Sequence, residues 1–348
     1  MCFKRLFGRK FNTERALKTD KAVNIVTEEK NDPPIQNQGT NREVFLKNPA
    51  NYVSNDKGEG QYKNPEAPEG AMNKQIENFR KYDDSDTDRD KKYLGRIIAI
   101  ANQKGGVGKS TTAVNMSGYL GNSGFKTLII DFDPQSNSTS GLGINKEEIQ
   151  SSVYEVIINN QEPRKAILKT NYKNLYIMPS SIQLAGAEVE LVSAMKREYK
   201  LKHAIDSLKA EFDFIIIDCP PALGLLTINA LTGAGEVMIP IQCEYYALEG
   251  LGQLINTINL IRENLNENLI ITGVVMTMFD QRTRLSEQVI DEVKAYFPDK
   301  VYSTIIPRNV RLSEAPSYGK PIIDYDPDCK GALAYKSLTE EVIANGPK

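Results

Sequence analysis

The sequence predicts an α/β fold: a doubly wound, mostly parallel sheet with helices on both faces, preceded by a largely disordered N-terminal tail. Three observations lead to this prediction. Short runs rich in Ile and Val alternate with helical patterns from about residue 93 to the end. A glycine-rich loop joins the first of these runs to the first helical pattern. Acidic residues follow two later runs, at the strand ends where such sheets bind ligands.

The predicted strands are apolar runs that helical patterns separate. Because their apolar residues are nearly continuous, the runs indicate strands that are buried on both faces. They cover residues 96–101, 126–131, 174–178, 214–218, 236–240, 270–276 and 301–306. The clearest helical patterns cover residues 112–124, 184–197, 247–263 and 286–296. This alternation predicts parallel strands that are joined by helices.

The loop after the first predicted strand has the composition of a phosphate-binding site. It consists of Lys104, Gly105, Gly106, Val107, Gly108, Lys109, Ser110 and Thr111. Glycine adopts positive φ at little cost, so successive backbone N–H groups can converge on phosphate oxygens. Lys109 can place a charge near the β- and γ-phosphates, and the Ser110 hydroxyl can ligate Mg²⁺. Since a helix begins directly after the loop, its N-terminus would also point at the anion.

Lys104 is an additional lysine at the front edge of this loop. The strict Gly-x-x-x-x-Gly-Lys-Ser/Thr spacing is not met. The first glycine of the pattern is displaced, and Lys104 and Gly105 stand in its place. One nucleotide does not need two lysines from one loop. We therefore expect Lys104 to reach a different target.

Carboxylates follow two of the predicted strands. Asp131 and Asp133 leave the second strand together, where one could hold the water shell of Mg²⁺ and the other could position an attacking water. The same segment also fits a simple turn capped by Asp and Pro. Asp218 closes the apolar run 214–217. An apolar strand that ends in Asp is typical of a Walker-B carboxylate, which binds Mg²⁺ through water.

The loops after the last predicted strand contain two arginines and several turn residues. Pro307, Arg308 and Asn309 follow this strand, and loops here could pack on an adenine or a ribose. Arg308 and Arg311 could equally be solvated surface residues. Glycine and proline between residues 313 and 321 predict a fixed loop rather than a long helix.

Composition excludes several classes of protein. No apolar run approaches the ~18 residues that a membrane-spanning helix needs. The 4 cysteines have no CxxC spacing, and a single histidine argues against a histidine-based metal site. The cysteine pattern favours a reduced cytoplasmic protein. With a formal net charge of −2, any nucleic-acid contact must come from a local basic patch.

Residues 1–92 are predicted to form a disordered tail or linker, and residues 93–348 a folded domain. The tail is rich in Asn, Pro and Gly, lacks sustained periodicity, and contains an acidic run at residues 83–88. Residues 1–18 differ, because basic residues accompany Phe3, Leu6, Phe7 and Phe11 at helical spacing. This pattern fits a basic amphipathic helix that binds a membrane surface or a polyanion, and it also fits a solvated basic end.

From about residue 95 to the end, the chain resembles the ParA/Soj partition ATPases, the deviant-Walker-A branch of the P-loop proteins. The matching segments are residues 104–112, 131–135, 215–221, 245–250, 277–283 and 306–321, in family order. The resemblance implies ATP and Mg²⁺ as cofactors and a slow, partner-stimulated ATPase activity. It assigns Lys104, Lys109 and Asp133 to catalysis, Ser110 and Asp218 to the metal, and Pro307 and Asn309 to contacts with the base.

The resemblance also implies partners. In the family, ATP binding sandwiches two nucleotides between two subunits, so Lys104 is expected to cross to the partner's nucleotide. The ATP-bound homodimer is expected to bind double-stranded DNA without sequence preference through Arg282 and Arg311, in salt-dependent phosphate contacts. A ParB-type protein is then expected to stimulate hydrolysis and release the dimer from DNA. The expected location is cytoplasmic and nucleoid-associated.

Two other functions stay open at this point. A MinD-like ATPase that positions a cargo or binds a membrane would share the fold, with residues 1–18 as the candidate membrane contact. The C-terminus, however, has no basic amphipathic helix of the MinD kind. A metabolic enzyme that uses ATP to activate a small carboxylate would also share the fold, because fold alone does not decide function. The matches at residues 280–283 and 308–321 favour partitioning. The long tail departs from the compact Soj type and shows no helix-turn-helix pattern, so operator binding is not expected.

Overall fold

The structure is a computed structural model that describes residues 95–244 and 250–345, together with the backbone of two short strands. These strands, β1 (Tyr52–Ser54) and β2 (Gly60–Tyr62), pair antiparallel. The chain divides into two units, residues 1–66, which contain this pair, and residues 67–348. Apart from β1 and β2, the predicted tail lies outside the described residues, as do the predicted helix at 1–18, the acidic run at 83–88 and the boundary at 92/93.

The second unit alternates strands and helices. Its strands are β3 (Arg96–Ile100), β4 (Thr127–Asp131), β5 (Leu168–Lys169), β6 (Leu175–Met178), β7 (Phe214–Asp218), β8 (Glu236–Gln242), β9 (Ile270–Phe279) and β10 (Val301–Pro307). Its α-helices are α1 (Lys109–Asn122), α2 (Asn137–Gly141), α3 (Val153–Ile157), α4 (Leu184–Glu190), α5 (Lys200–Asp206), α6 (Leu225–Gly233), α7 (Leu251–Asn264), α8 (Arg284–Tyr296), α9 (Val310–Glu314), α10 (Ile322–Tyr325) and α11 (Lys330–Ala344). Short 3₁₀ turns lie at Lys146–Glu148, Pro163–Ala166, Leu191–Ser193, Arg197–Tyr199 and Ala315–Tyr318.

The strands of this unit form an 8-stranded sheet in the order β10-β9-β8-β3-β7-β4-β6-β5. All neighbouring pairs are parallel apart from β5 and β6 at one edge. In the centre, Ile100 of β3 is in register with Asp218 of β7, and Asp218 is in register with Asp131 of β4. The carboxyl ends of β3, β7 and β4 therefore lie side by side, and they bring the predicted loop and the predicted carboxylates together.

Two hydrophobic layers cover the sheet, one on each face. Because side chains alternate along a strand, Ile97 and Ile215 belong to one layer, whereas Ile98 and Ile216 belong to the other. Helices α4 to α8 contribute to the first layer, and α1 and α11 contribute to the second. The predicted fold class, a doubly wound and mostly parallel sheet, is confirmed.

A buried ion pair holds the first central strand in place. Arg96 Nε and Nη2 donate to the two carboxylate oxygens of Glu236 in β8, each at 2.8 Å. Arg96 Nη1 donates to the Val342 carbonyl oxygen of α11 at 2.9 Å. The guanidinium also lies 5.2 Å from the centre of the Phe214 ring. One side chain thus joins β3, β8 and the last helix, and all hydrogen bonds to its charge come from fixed partners.

The observed elements differ from the predicted ones in a few places. The helix predicted over 184–197 ends at Glu190 and continues only as the 3₁₀ turn Leu191–Ser193. Leu184, Ala187 and Leu191 form a buried face, whereas Val192 and Met195 beyond it are exposed, so no apolar contact sustains the helix past this point. Helix α11 and the edge strand β5 were not among the predicted elements. Within the described residues, the structure contains no helix with the length and apolarity of a membrane span.

Candidate functional site

The loop after β3 is held by neighbouring strands. Asn102 Nδ2 donates to the Pro240 carbonyl oxygen at 2.6 Å, and Asn102 Oδ1 accepts from the Lys104 backbone N–H at 2.9 Å. Thr277 Oγ1 of β9 donates to the Val107 carbonyl oxygen at 2.9 Å. The bonds to β8 and β9 come from residues far away in the sequence, and they fix the loop before any ligand binds.

The glycines of the loop leave room for a ligand. Gly106 has φ of 73° and Gly108 has φ of 92°, in the region that favours glycine. A Cβ atom added at Gly105 or Gly106 would meet no atom within 4 Å, so the space in front of the loop is open. Helix α1 begins directly after Gly108, and its first N–H groups are therefore available to an anion.

This open space is a cavity of about 560 Å³ at the carboxyl edge of the sheet. Its volume is in the range of cofactor sites. The residues that line it come from the loop, α1, the segment after β4, the segment after β7, the end of β9 and the segment after α9. They are Gly105, Gly106, Gly108, Lys109, Ser110, Thr111, Val114, Asn115, Asp133, Gln135, Asn137, Ser140, Gly141, Pro221, Met278, Ala315, Pro316, Ser317 and Lys320.

Lys109 and Lys104 occupy different environments. Lys109 is buried, and its Nζ donates to the Lys104 carbonyl oxygen at 3.0 Å. Burial lowers the pKa of Lys109, and the charges of Asp218 and Asp133 oppose this shift. Lys104 is half-buried, and the structure shows no polar contact of its side chain among the described residues. Lys109 is thus held in position for a ligand of its own cavity. The Lys104 side chain is free to contact a different group.

Ser110 and Asp218 form a candidate Mg²⁺ site. Asp218 is fully buried, and its Oδ2 accepts from Ser138 Oγ at 2.7 Å, whereas its Oδ1 has no hydrogen-bond partner among the described residues. Burial raises the pKa of Asp218, and the Ser138 hydrogen bond and the nearby Ser110 hydroxyl oppose that shift. A buried carboxylate oxygen without a partner beside a hydroxyl fits a hard cation.

The remaining ligands of such a cation have to come from water and phosphate. The described residues contain no group of three or more His, Cys, Asp or Glu side chains that could hold a metal by themselves. Mg²⁺ is commonly held by one or two protein oxygens together with phosphates and water. The donor set here fits that kind of site.

Asp131 and Asp133 have separate roles. Asp131 is fully buried, and its Oδ2 accepts from the Thr139 backbone N–H at 2.7 Å and from Thr139 Oγ1 at 2.6 Å. Burial and the nearby charge of Asp218 raise the pKa of Asp131. Asp133 lines the cavity, and its Oδ1 accepts from the Gln135 backbone N–H at 3.0 Å. Asp131 therefore fixes the turn, and Asp133 is the carboxylate that a ligand in the cavity can meet.

Pro307 and Asn309 do not line this cavity. Pro307 ends β10 in register with Phe279, and Asn309 Oδ1 accepts from the Arg311 backbone N–H at 2.8 Å as the N-cap of α9. The wall on this side is formed by Ala315, Pro316 and Ser317. The assignment of Pro307 and Asn309 to a base stays a prediction.

Met278 is a cavity residue that the sequence reasoning missed. It lies at the end of β9 with φ of 52°, an uncommon conformation for a residue with a side chain. The only signal in the sequence was its place within the matching segment 277–283. Pro316, Ser317 and Lys320 were also missed as cavity residues. Their segment contains the 3₁₀ turn Ala315–Tyr318 and, as expected, no long helix.

Arg282 and Arg311 lie outside the cavity, after the carboxyl ends of the adjacent strands β9 and β10. The Arg282 side chain is 81 % exposed and forms a two-pronged ion pair with Asp280, at 2.9 and 2.6 Å. Arg311 pairs with Glu314 at 2.9 Å and with Asp326 at 3.2 Å. The structure thus places both arginines on the surface at the same edge of the sheet, each held by carboxylates of its own chain.

Comparisons with known proteins agree with this site. A protein-family profile described as an AAA domain matches residues 95–271. The sporulation initiation inhibitor protein Soj of Bacillus subtilis is 57 % identical over 253 residues, which cover 73 % of this chain and all of that protein. The chromosome partitioning protein ParA of Myxococcus xanthus is 50 % identical over 250 residues, or 72 % of this chain and 88 % of the relative.

Solved structures share the fold, and the two described here contain a bound nucleotide. Cobyrinic acid a,c-diamide synthase of Mycobacterium smegmatis with ADP and magnesium has a TM-score of 0.63 and 37 % identity, and the match covers 71 % of this chain and 93 % of that one. A variant of Cyanothece McdA in complex with ATP has a TM-score of 0.66 and 26 % identity, with 72 % of this chain and 97 % of that one covered. These ligands support the prediction of ATP and Mg²⁺. The coverage and identity of the sequence relatives show that the chain belongs to the Soj/ParA family of chromosome-partitioning ATPases, as its motifs predicted.

Proposed function

We propose that this protein is a DNA-segregation switch that ATP and Mg²⁺ control. In this proposal two ATP-bound copies form a dimer, the dimer binds double-stranded DNA without sequence preference, and hydrolysis ends both contacts. A ParB-type partner stimulates the slow hydrolysis, and the protein is located in the cytoplasm on the nucleoid. Membership in the Soj/ParA family and the fit of the cavity to a nucleotide support this function.

The observation that carries the proposal is the end of β9. Thr277 donates to the phosphate loop, the next residue Met278 lines the cavity, and Arg282 follows on the surface after one short turn. Asp280 lies within that turn and holds Arg282. A ligand in the cavity and a ligand on Arg282 would therefore act on the same few residues of backbone. A change of the nucleotide would therefore affect the proposed DNA surface through only a few residues of backbone.

The residues of the cavity would have different roles in ATP hydrolysis. Backbone N–H groups of the loop and of α1 would hold the phosphates, and Lys109 would add its charge. Ser110 and Asp218 would hold Mg²⁺, Asp218 through the water shell, and the cation would supply positive charge beside the phosphates. Asp133 would orient a water or take its proton, and its position in the lining of the cavity supports this role.

Lys104 is proposed to act on the nucleotide of the partner subunit. Its side chain has no polar partner within the described part of the chain, although its backbone N–H and carbonyl are both fixed. Lys104 directly precedes Gly105, which lines the cavity, and Lys109 already supplies a charge there, so Lys104 can contribute its own charge across an interface. Formation of the dimer would then depend on the phosphate charge of both nucleotides.

Arg282 and Arg311 are proposed to contact DNA phosphates. The sequence has a formal net charge of −2, so this contact depends on a local patch and on the doubling of that patch in a dimer. Before DNA binds, each arginine has to exchange an intramolecular carboxylate for a phosphate. Binding should therefore fall steeply with salt and depend little on sequence.

DNA binding by the full chain tests this proposal. Wild type, Arg311→Glu and the control Arg262→Glu, an exposed arginine at the end of α7, would be titrated onto duplexes of unrelated sequence with ATP, with ADP and without nucleotide. We expect tight binding of wild type and of the control only with ATP and low salt, and about a tenfold or greater loss in Arg311→Glu. Equal binding with ATP and ADP, or unchanged binding of Arg311→Glu, would contradict the proposal.

A further inference from the structure

A second cavity lies away from the nucleotide site and shares no lining residue with it. It has a volume of about 390 Å³ and lies between the α3 region and the segment that leads into α5. Its polar lining includes Lys196, Lys200, His203 and Asn160, and its apolar lining includes Met195. No Asp or Glu is among the lining residues. A cavity with two lysines, a histidine and no carboxylate fits an anionic ligand.

The positive charge of this cavity is not neutralised by its described neighbours. Lys200 Nζ donates to the neutral Asn160 Oδ1 at 3.2 Å, and the structure shows no ion pair of Lys196 within the described residues. The carboxylates nearby in sequence are engaged elsewhere. Glu198 pairs with Arg197 at 2.9 Å, and Asp206 pairs with Lys209 at 2.5 Å. An acidic ligand would therefore find unpaired lysine charge here.

Both walls of the cavity contain an uncommon backbone conformation. Asn160 has φ of 53° and Lys196 has φ of 51°. Asparagine tolerates this region well, whereas lysine rarely adopts it. Such conformations persist where the surrounding structure requires them, and they are frequent at ligand sites. Lys196 is the N-cap of the 3₁₀ turn Arg197–Tyr199 and follows the exposed Met195.

The described part of the ATPase unit begins beside the turn that follows α5, and α5 contributes to the lining of this cavity. Gly95 N donates to the Phe212 carbonyl oxygen at 2.9 Å, and a Cβ on Gly95 would lie 3.2 Å from the Lys209 carbonyl oxygen. Ser207, which precedes Lys209 by one short turn, lines the cavity. The chain before Gly95 therefore starts within a short distance of the basic cavity.

The sequence before Gly95 contains an aspartate-rich run that also includes Arg89, and Lys91 and Lys92 lie between this run and Gly95. The aspartates of the run are Asp83, Asp84, Asp86, Asp88 and Asp90. At ~3.3 Å per extended residue, the stretch from Gly95 back to Asp83 can span up to about 40 Å. We propose that this aspartate-rich segment, residues 83–90, binds in the cavity of Lys196, Lys200 and His203. The segment thereby holds the linker against the ATPase domain beside the start of β3, and this role is independent of the proposed DNA function.

A labelled peptide with the sequence of residues 82–90 tests the site by fluorescence anisotropy. Three full-length proteins would be compared: wild type, an acidic-run variant with Asp83→Asn, Asp84→Asn, Asp86→Asn and Asp88→Asn, and the same variant with Lys196→Glu and Lys200→Glu. A tethered segment reaches an effective concentration on the order of mM, so it should exclude the added peptide. We expect the acidic-run variant to bind at least about tenfold more tightly than wild type.

Lysine variants and a matched control show where the peptide binds. Lys196→Glu and Lys200→Glu should remove the binding that the acidic-run variant gains, whereas Lys165→Glu, an exposed lysine that does not line the cavity, should leave it unchanged. Circular dichroism and thermal unfolding would confirm that the variants fold. Hydrogen exchange at residues 196–207 should rise in the acidic-run variant relative to wild type.

Two results would overturn the proposal. Equal peptide binding by wild type and by the acidic-run variant would mean that the cavity is open to an acidic segment of another protein and is not filled by residues 83–90. Peptide binding that ignores the lysine charge reversals, or an absence of binding in every variant, would mean that this cavity does not take an acidic peptide.

Discussion

The two halves of the carboxyl edge of the sheet differ in the charged side chains that follow their strands and in how deeply these side chains are buried. On one half, the ends of β4 and β7 present Asp131 and Asp218, which are fully buried beside the phosphate loop. On the other half, β9 and β10 lead to Arg282 and Arg311, which lie on the surface. The buried carboxylates have fixed partners such as Thr139. The arginines have ion pairs that a solvent-borne anion can replace.

This difference indicates how each half can work. Interactions in a buried, preorganised site are strong because little water competes and little has to reorganise. Exposed ion pairs contribute little, and they weaken further with salt. The half with the phosphate loop is therefore suited to tight binding of a ligand. The half with the arginines is suited to a contact that forms and breaks readily. Four substitutions test this contrast, in order of decreasing expected effect.

Lys109→Ala should have the largest effect, a loss of ATP affinity, because it removes the buried positive charge that lines the cavity. Loss of such a charged partner is expected to weaken ATP binding on the order of 100-fold or more. Titration calorimetry with ATP and Mg²⁺ measures this loss. Lys146→Ala is a matched control, since that lysine is exposed and its Nζ donates to the Gln135 carbonyl oxygen. Normal affinity in Lys109→Ala would contradict the assigned site.

Asp133→Ala should slow hydrolysis and leave nucleotide binding nearly intact. A residue that positions water or accepts a proton contributes about 100-fold or more to the rate. Phosphate release measured with DNA present should fall by that factor, whereas the affinity for ATP should change by no more than a few-fold. An equal loss of binding and of hydrolysis would instead indicate that Asp133 mainly supports the structure of the loop.

Lys104→Ala should separate nucleotide binding from dimer formation. The side chain contacts nothing polar in the described part of its own subunit, so the monomer should bind ATP normally. If Lys104 reaches the nucleotide of the partner, the dimer should weaken about tenfold or more. Light scattering with a non-hydrolysable ATP analogue, with Lys165→Ala as the control, measures the dimer. A dimer of unchanged stability would refute the crossing role.

Asp280→Asn should have the smallest effect and the opposite sign. Hydrogen bonds from Arg282 hold the pKa of Asp280 well below its usual range, so the carboxylate is charged and competes with phosphate for this arginine. Because the pair is exposed, we expect only about a two- to threefold gain in DNA affinity, mainly at low salt. Anisotropy of a labelled duplex measures this gain, with Asp291→Asn on α8 as the control. Weaker DNA binding in Asp280→Asn would show that Asp280 orients Arg282 for DNA instead.

Local patterns were sufficient to predict most of the fold. The apolar run 214–218 predicted a strand that is buried on both faces. The glycine loop with Lys109 predicted the start of a helix, and α1 begins at Lys109. The segment 184–197 was predicted wrongly as one helix, because spacing alone does not show whether Val192 and Met195 find a surface to pack against. Burial of an apolar residue depends on the partner that the tertiary structure brings to it.

The sequence by itself determined the order of elements, the phosphate loop, the carboxylates at strand ends and the family, because these depend on local periodicity and on short motifs. Only the tertiary structure decided that Asp133, rather than Asp131, faces the cavity, and that Met278 and Pro316 form its wall. It also decided that Arg282 and Arg311 are held by carboxylates of their own chain. These facts depend on contacts between distant segments, which the packing of the sheet and helices creates and which no local pattern records.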